Sequence, residues 1–223
     1  MAIKVVDLGG TEGWTEKEVV KAIDLNDTFN AMVDKLQTLT AFWLNDFLYD
    51  VYEDFDSYSV GDFTSNTKWD VSGTGSCSIE NSQVAGGTTN ELYIDTYQNN
   101  MTVTSLLIPS NRHIFARLNW SYFIGATNGS ITQTFSIGND TDGFSDVRHY
   151  YISSYRKEAN SEANVLIIAK GDNKYDAYWG GKKVLSDLEL LNGCQLKFYV
   201  AHATSTGYSR WYIDDVRVSK GSV

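Results

Sequence analysis

The chain has 223 residues, with 28 acidic against 18 basic side chains and a formal net charge of −10. At 42% hydrophobic it is too apolar for a disordered chain, no run of about 18 apolar residues is present to span a membrane, and no basic stripe is available to release counterions from a nucleic-acid backbone. Two cysteines exclude a disulfide-dense scaffold and a four-cysteine zinc site.

Residues 1–14 lack the basic start and apolar run of a secretion signal. From 15 to 52 the hydrophobic period is helical. Thr15 and Glu18 fit a capping box ahead of a short run carrying Val19, Val20 and Ile23. Asp24 or Asn26 caps a second helix, expected over 25–52. There Leu25, Phe29, Met32, Leu36, Leu39 and Trp43 are spaced 4, 3, 4, 3 and 4, the a/d spacing of a coiled coil. Asp46 interrupts the seam, and Phe47 and Val51 resume it in steps of four, which reads as a stutter. About three heptads are marginal alone, so neighbouring domains must contribute to assembly. The expectation is an oligomerisation segment, as a trimer; an amphipathic helix folded back on its own domain is the alternative.

From residue 53 the reading is β throughout. Runs rich in Thr, Val, Ile, Tyr, Phe and Trp alternate with Gly, Asn, Asp and Ser clusters. Strands are expected at 77–80, 91–97, 102–108, 113–124, 131–138, 147–154, 164–170, 174–179, 182–186, 195–203 and 209–219. Leu196, Phe198, Val200 and His202 face one way; Trp211 and Ile213 share a face, as do Val216 and Val218, and the phase shift at Asp214–Asp215 predicts a bulge. Spacing of about ten residues without intervening helices argues for two antiparallel sheets, a jelly-roll sandwich.

Little in the β region points to catalysis. Glu91 and Asp95 share a strand face, but roughly 13 Å apart at the usual rise, whereas paired glycosidase carboxylates stand about 5–10 Å apart. There is no serine-elbow motif, and His113, His149 and His202 are scattered. The expectation is a non-enzymatic protein. Asn139-Asp140-Thr141-Asp142-Gly143 reads as a polar hairpin turn, and Cys77 and Cys194 as free buried thiols, with a cross-sheet disulfide as the alternative.

Three segments resemble the concanavalin-like jelly roll of legume lectins, laminin G-like domains and some glucanases. They are Phe55-Asp56-Ser57-Tyr58 with Trp69-Asp70-Val71, the hairpin Tyr175 to Val184, and the closing strand Trp211 to Val218. The resemblance implies a structural calcium ion tying first strand to last, with Asp54, Asp56, Asp214 and Asp215 as its acids. It also implies a glycan ligand stacked on exposed rings. Tyr175, Tyr178, Trp179 and Tyr208 are the main candidates, with Tyr150, Tyr151 and Tyr155 beside them. Along YDAYW, Tyr175, Ala177 and Trp179 share a face and Tyr178 points the other way.

The segment Ala22 to Ala31 is similar to the start of a helix in tail-fibre and other virion proteins of bacterial and archaeal viruses. That resemblance implies a virion structural protein on the exposed particle surface. Residues 1–14 would hold other virion proteins, 15–52 would join copies, and 53–223 would display the sandwich for decoration or for attachment to a host-surface glycan. The alternative is a free carbohydrate-binding protein or glycoside hydrolase of the concanavalin-like type.

Overall fold

Period-two alternation decides this architecture. The computed structural model describes residues 49–82, 84–85, 90–96, 99–124, 130–153, 157–202 and 207–220. The chain divides into two units, Met1–Leu44 and Asn45–Val223, and every described residue lies in the second. Residues 1–14 and the seam from Leu25 to Trp43 fall outside the described residues.

The strands are β1 (Tyr49–Glu53), β2 (Gly61–Asp62), β3 (Trp69–Gly73), β4 (Ser76–Glu80), β5 (Glu91–Thr96), β6 (Asn100–Ser105) and β7 (Ile114–Ile124). They continue as β8 (Ser130–Asn139), β9 (Gly143–Ser153), β10 (Lys157–Ala169), β11 (Lys174–Trp179), β12 (Lys182–Glu189), β13 (Gln195–His202) and β14 (Gly207–Ser219). One sheet has nine strands in the order β12-β11-β10-β7-β14-β5-β4-β2, with β1 also paired to β14. The other has five, β3-β6-β13-β8-β9. All pairings are antiparallel.

In β13, Leu196, Phe198, Val200 and His202 are buried, while Gln195, Lys197, Tyr199 and Ala201 stand on the opposite side. In β14, Trp211 and Ile213 are fully buried on the inner face. The expected bulge lies where it was placed: pairing with β7 shifts between Asp214 and Arg217, and Asp215 has φ 48°. A bulge inserts one residue, so Val216 returns to the core. Aromatic rings join the sheets at the centre. Phe135 stacks on Phe198 at 4.8 Å, and Trp211 meets Phe198 and Trp179 edge-on at 5.9 and 6.2 Å. A second cluster, Phe55, Tyr58, Phe63 and Trp69, closes one edge.

One boundary moves. Tyr49–Glu53 is a strand paired with β14, Tyr49 opposite Ser219 and Val51 opposite Arg217, not the last turns of a helix. Val51 therefore continues a strand rather than the helical seam, and the β region begins before 53. Its hydrogen bonds come from β14, a partner remote in sequence.

Gly207 opens β14 with φ +136°, and a Cβ there would lie 2.1 Å from the Phe123 carbonyl oxygen. Only glycine lets β14 start flush against β7. Cys77 and Cys194 are free and buried, and burial pushes both thiols up to about 12.

Candidate functional site

The register of the five-stranded sheet sorts its side chains into core and outer face. On the outer face β3 presents Asp70 and Ser72, and β6 presents Thr102 and Thr104. β13 contributes Lys197 and Tyr199, and β8 contributes Thr132, Thr134 and Ser136. β9 adds Phe144, Asp146, His149 and Tyr151. The result is a floor of short hydroxyl side chains from which a few rings rise. Tyr199 stands mid-sheet between Thr102 and Thr134, its cross-strand partners. Tyr151, on the edge strand opposite Thr132, is 65% exposed. Lys197 lies with its ammonium 4.5 Å from the Phe144 ring centroid.

Hydrogen bonds hold the β8–β9 side of this face in place. Ser136 Oγ donates to Asp146 Oδ1 at 2.7 Å, and Thr134 Oγ1 and His149 Nδ1 are 3.0 Å apart. His149 Nδ1 also sits 3.5 Å from Asp146 Oδ2. The β8–β9 hairpin is closed by Asn139, whose Oδ1 accepts from the Thr141 and Asp142 amides at 2.9 and 2.7 Å. The polar-turn reading of this segment is what the structure shows.

Two depressions mark the ends of the face. One of 340 Å³ lies among Asp70, Thr104, Asp140, Phe144, Gln195 and Lys197. The other, of 420 Å³, lies among Asn99, Asn100, Ser130, Thr132 and Ala201, with buried His202 behind. Burial holds the His202 imidazole below its ordinary value, with Asp95 opposing. Along β13, Lys197 and Ala201 are roughly 13 Å apart at the usual rise, so a chain of a few sugar-sized units fits between the depressions.

The rings singled out from the sequence divide between core and surface. Tyr175 is fully buried; its hydroxyl oxygen accepts from the Asn111 amide at 2.7 Å. This removes Tyr175 from the expected set of exposed stacking rings, because β11 turns it, with Ala177, into the core. Trp179 is half-buried and packs on Phe135 and Trp211. Tyr178 does point outward, half-buried beside Lys183, whose ammonium is 5.5 Å from its ring centroid. Tyr208 is half-buried on the nine-stranded sheet under the Arg210 guanidinium, 3.8 Å from its ring centroid. The hairpin and Tyr208 therefore do not form one site with the outer face described above.

The hairpin instead organises charge. Asp176, 5% exposed, accepts from Lys183 Nζ at 2.6 Å and the Asp187 amide at 3.0 Å, with Lys170 Nζ 3.7 Å away. Burial opposes its ionisation, yet these donors hold its carboxyl below the ordinary 3.8. A depressed carboxylate stabilises the fold above its unfolded value and loses that contribution as pH falls through the folded value. The melting-temperature gap between the parent and Asp176→Asn is therefore expected to be widest near neutrality and to narrow below about pH 4; a gap constant from about pH 3 to 7 would remove this role.

The acids proposed for calcium lie at one end of the β1–β14 pair, where Glu53 faces Val216. Asp54 Oδ1 accepts from the Asp56 amide at 3.2 Å, and Asp56 Oδ1 accepts from the Asn90 amide at 2.8 Å. Asp214 Oδ1 accepts from the Asp215 amide at 2.6 Å. Asp215 lies between two arginines, Arg117 Nε at 3.0 Å and Arg217 Nε at 2.6 Å. Among the described residues no three acidic, imidazole or thiol side chains are grouped to hold a metal ion.

Glu91 and Asp95 share the outward side of β5 with separate partners. Glu91 is fully buried and accepts from the Ser82 hydroxyl and from the Val84 and Ala85 amides at 2.8 and 2.7 Å. Asp95 Oδ2 accepts from Tyr93 Oη at 2.6 Å and Arg210 Nε at 3.1 Å.

No family model and no curated protein matches the sequence. Solved structures do match in shape. One is the family 11 carbohydrate-binding module from Clostridium thermocellum in complex with a beta-1,3-1,4-mixed-linked tetrasaccharide, at 14% identity, covering 77% of this chain and 95% of that one, with a TM-score of 0.30. Beta-agarase A from Zobellia galactanivorans is similar at 11% identity over 80% of this chain and 92% of that one, TM-score 0.45. The enzymatically active domain of bacteriophage CBA120 tailspike protein 4 is similar at 14% identity over 78% of this chain and 22% of that one, TM-score 0.33. At these scores the functional reading stands on this chain's own residues: a jelly-roll-like sandwich of two antiparallel sheets with one hydroxyl-rich, ring-bearing face.

Proposed function

We propose that the sandwich is a carbohydrate-binding domain and that the outer face of its five-stranded sheet takes the glycan. The observation that carries this reading is the placement of Tyr199 and Tyr151 above a floor of threonines and serines, between two polar depressions. A sugar ring has an apolar face and a rim of hydroxyls. Rings that stand proud meet the first at low entropic cost, and fixed hydroxyl, amide and carboxylate groups meet the second. The test is calorimetric titration of the full chain with neutral tri- to hexasaccharides of glucose, galactose, mannose and xylose. Binding is expected for at least one sugar type, and it is expected to be lost on substituting Tyr199.

A second reading, glycoside hydrolysis, is favoured by one feature: Asp70 and Asp140 line the same 340 Å³ depression beside Lys197. Hydrolysis needs two carboxyl groups about 5–10 Å apart across the scissile bond. Asp70 and Asp146, on opposite edge strands of the same face, are about 19 Å apart at the usual strand spacing and do not meet that need. New reducing ends released from the same saccharides, and absent with Asp70→Asn and Asp140→Asn, would establish this reading over pure binding.

The heptad series from Leu25 to Trp43 supports display of several copies, and the likeness of Ala22 to Ala31 to the start of tail-fibre helices supports a virion surface as the place of display. A polar residue in an a/d seam opposes helix pairing. Light scattering of the full chain is expected to give a trimer, and Leu36→Asp a monomer; a monomeric parent would remove the multivalent reading.

A further inference from the structure

Two hydroxyl side chains in the middle of the outer face are hidden beneath their neighbours. Thr134 and Ser136 stand on the outward side of β8, yet they are only 8% and 5% exposed. Taller side chains flank them in two rows that cross the sheet. Thr134 stands between Tyr199 on β13 and His149 on β9, and Ser136 between Lys197 and Asp146. Side chains covered in this way offer little to an incoming sugar.

Their hydroxyls are also engaged. Ser136 Oγ donates to Asp146 Oδ1, and Thr134 Oγ1 lies beside His149 Nδ1, which Asp146 Oδ2 also approaches. The two side chains they hold stay open: His149 is 49% and Asp146 50% exposed. β9 is an edge strand of its sheet, so no further strand of that sheet crowds them. With Nδ1 engaged, Nε2 is the imidazole nitrogen left for a ligand. A carboxylate has about four acceptor sites on two oxygens, so one serine donor leaves Asp146 able to accept more. Two oxygens side by side suit two hydroxyls on neighbouring carbons. Tyr199 and His149 are two strand spacings apart, about 10 Å, so a sugar stacked on the first reaches the second row.

We propose that His149 and Asp146 form the hydrogen-bonding half of the glycan site, and that Thr134 and Ser136 are positioning residues beneath them. Asp146 then accepts hydroxyl protons and His149 Nε2 meets a further hydroxyl. The ligand is a saccharide with free hydroxyls on neighbouring carbons. This inference rests on the outer-face reading and names the chemistry that face selects.

The histidines supply the reporter, since the chain has three, His113, His149 and His202. The full chain, carrying carbon-13 in its histidine rings, is titrated with neutral trisaccharides of glucose, galactose, mannose and xylose and with their O-methylated forms. The His149 resonance, identified by its loss in His149→Ala, is expected to move with the trisaccharide that binds. The methylated form lacks hydroxyl donors and is expected to bind about 10–100-fold more weakly. Asp146→Asn is expected to weaken binding about tenfold and His149→Ala about 3–10-fold. Thr134→Val keeps the shape and removes the hydroxyl. It is expected to weaken binding about threefold in the parent and to have no further effect in His149→Ala, because a residue that acts through another is silent once that partner is gone. Equal weakening in both backgrounds would show that Thr134 meets the sugar itself and would overturn its positioning role. Binding that depends on Tyr199, with a still His149 resonance and parent affinity in both His149→Ala and Asp146→Asn, would overturn the assignment while leaving the outer-face reading intact. Absence of binding by every saccharide would overturn both.

Discussion

Trp211→Ala is expected to destabilise the sandwich by about 3–5 kcal/mol, in the range seen when a large buried aromatic is truncated. Trp211 is fully buried at the centre of β14. Its ring lies edge-on to Trp179 and Phe198, and its indole Nε1 donates to the Tyr199 carbonyl at 3.3 Å. Truncation leaves a void between the sheets and an acceptor without its donor. The expected fall in melting temperature is roughly 6–20 °C for a domain of this size. Tyr208→Ala, on the same strand but half-buried on the other side, is expected to cost far less. Equal shifts for the two variants would mean that the strand does not face the core as described.

Tyr199→Ala is expected to weaken glycan binding by about 10–30-fold, the effect of losing one central aromatic anchor worth about 1.4–2 kcal/mol. Tyr151→Ala, at the sheet edge, should lose less, because edge contacts are better solvated. Both rings stand outside the core, so melting temperatures should stay within about 2 °C of the parent. If both variants bind the same saccharide as tightly as the parent, the outer face is not the site. Retained binding by Tyr199→Ala with loss in Tyr178→Ala would return the site to the hairpin.

The sheets were legible where one face of a strand is apolar and the other polar. QLKFYVAH alternates without a break, and β13 is buried in the same alternation. The phase shift at Asp214–Asp215 is visible because a bulge moves Val216 and Val218 by one position. β2 and β3 were missed because they carry too little pattern: β2 has two exposed residues, and Trp69 alone is buried in β3. β10 starts well before the expected residue 164 because KEANSE shows no alternation of apolar side chains. β1 was read as helix because Phe47 and Val51, four apart, fit one more helical turn while Val51 and Glu53 fit a strand equally well. Only Arg217 and Val216, remote in sequence, decide between them.

The outer face was less legible still. Its floor is made of threonine and serine, common residues that attract no notice singly, drawn from β6 and β8. Aromatic density pointed instead to YDAYW, where Tyr175 and Trp179 serve the core. Alternation did predict that Tyr178 differs from its neighbours. Which strands would supply the binding face depended on sheet order, which no local pattern encodes.

β14 is flanked by β7 along one edge and by β5 and β1 along the other. It is the last of the fourteen strands among the described residues, yet it holds the middle of the larger sheet. During synthesis on the ribosome, β5 and β7 emerge with the slot between them vacant, and both present unpaired edges until β14 follows. Such edges invite pairing with other chains. The contacts that close the domain, Tyr49 with Ser219 among them, join opposite ends of the described region and give a high contact order. Slow completion follows, with a late, all-at-once gain of tertiary structure rather than growth strand by strand. Shortening the chain before Gly207 is thus expected to leave an aggregating product rather than a smaller sandwich.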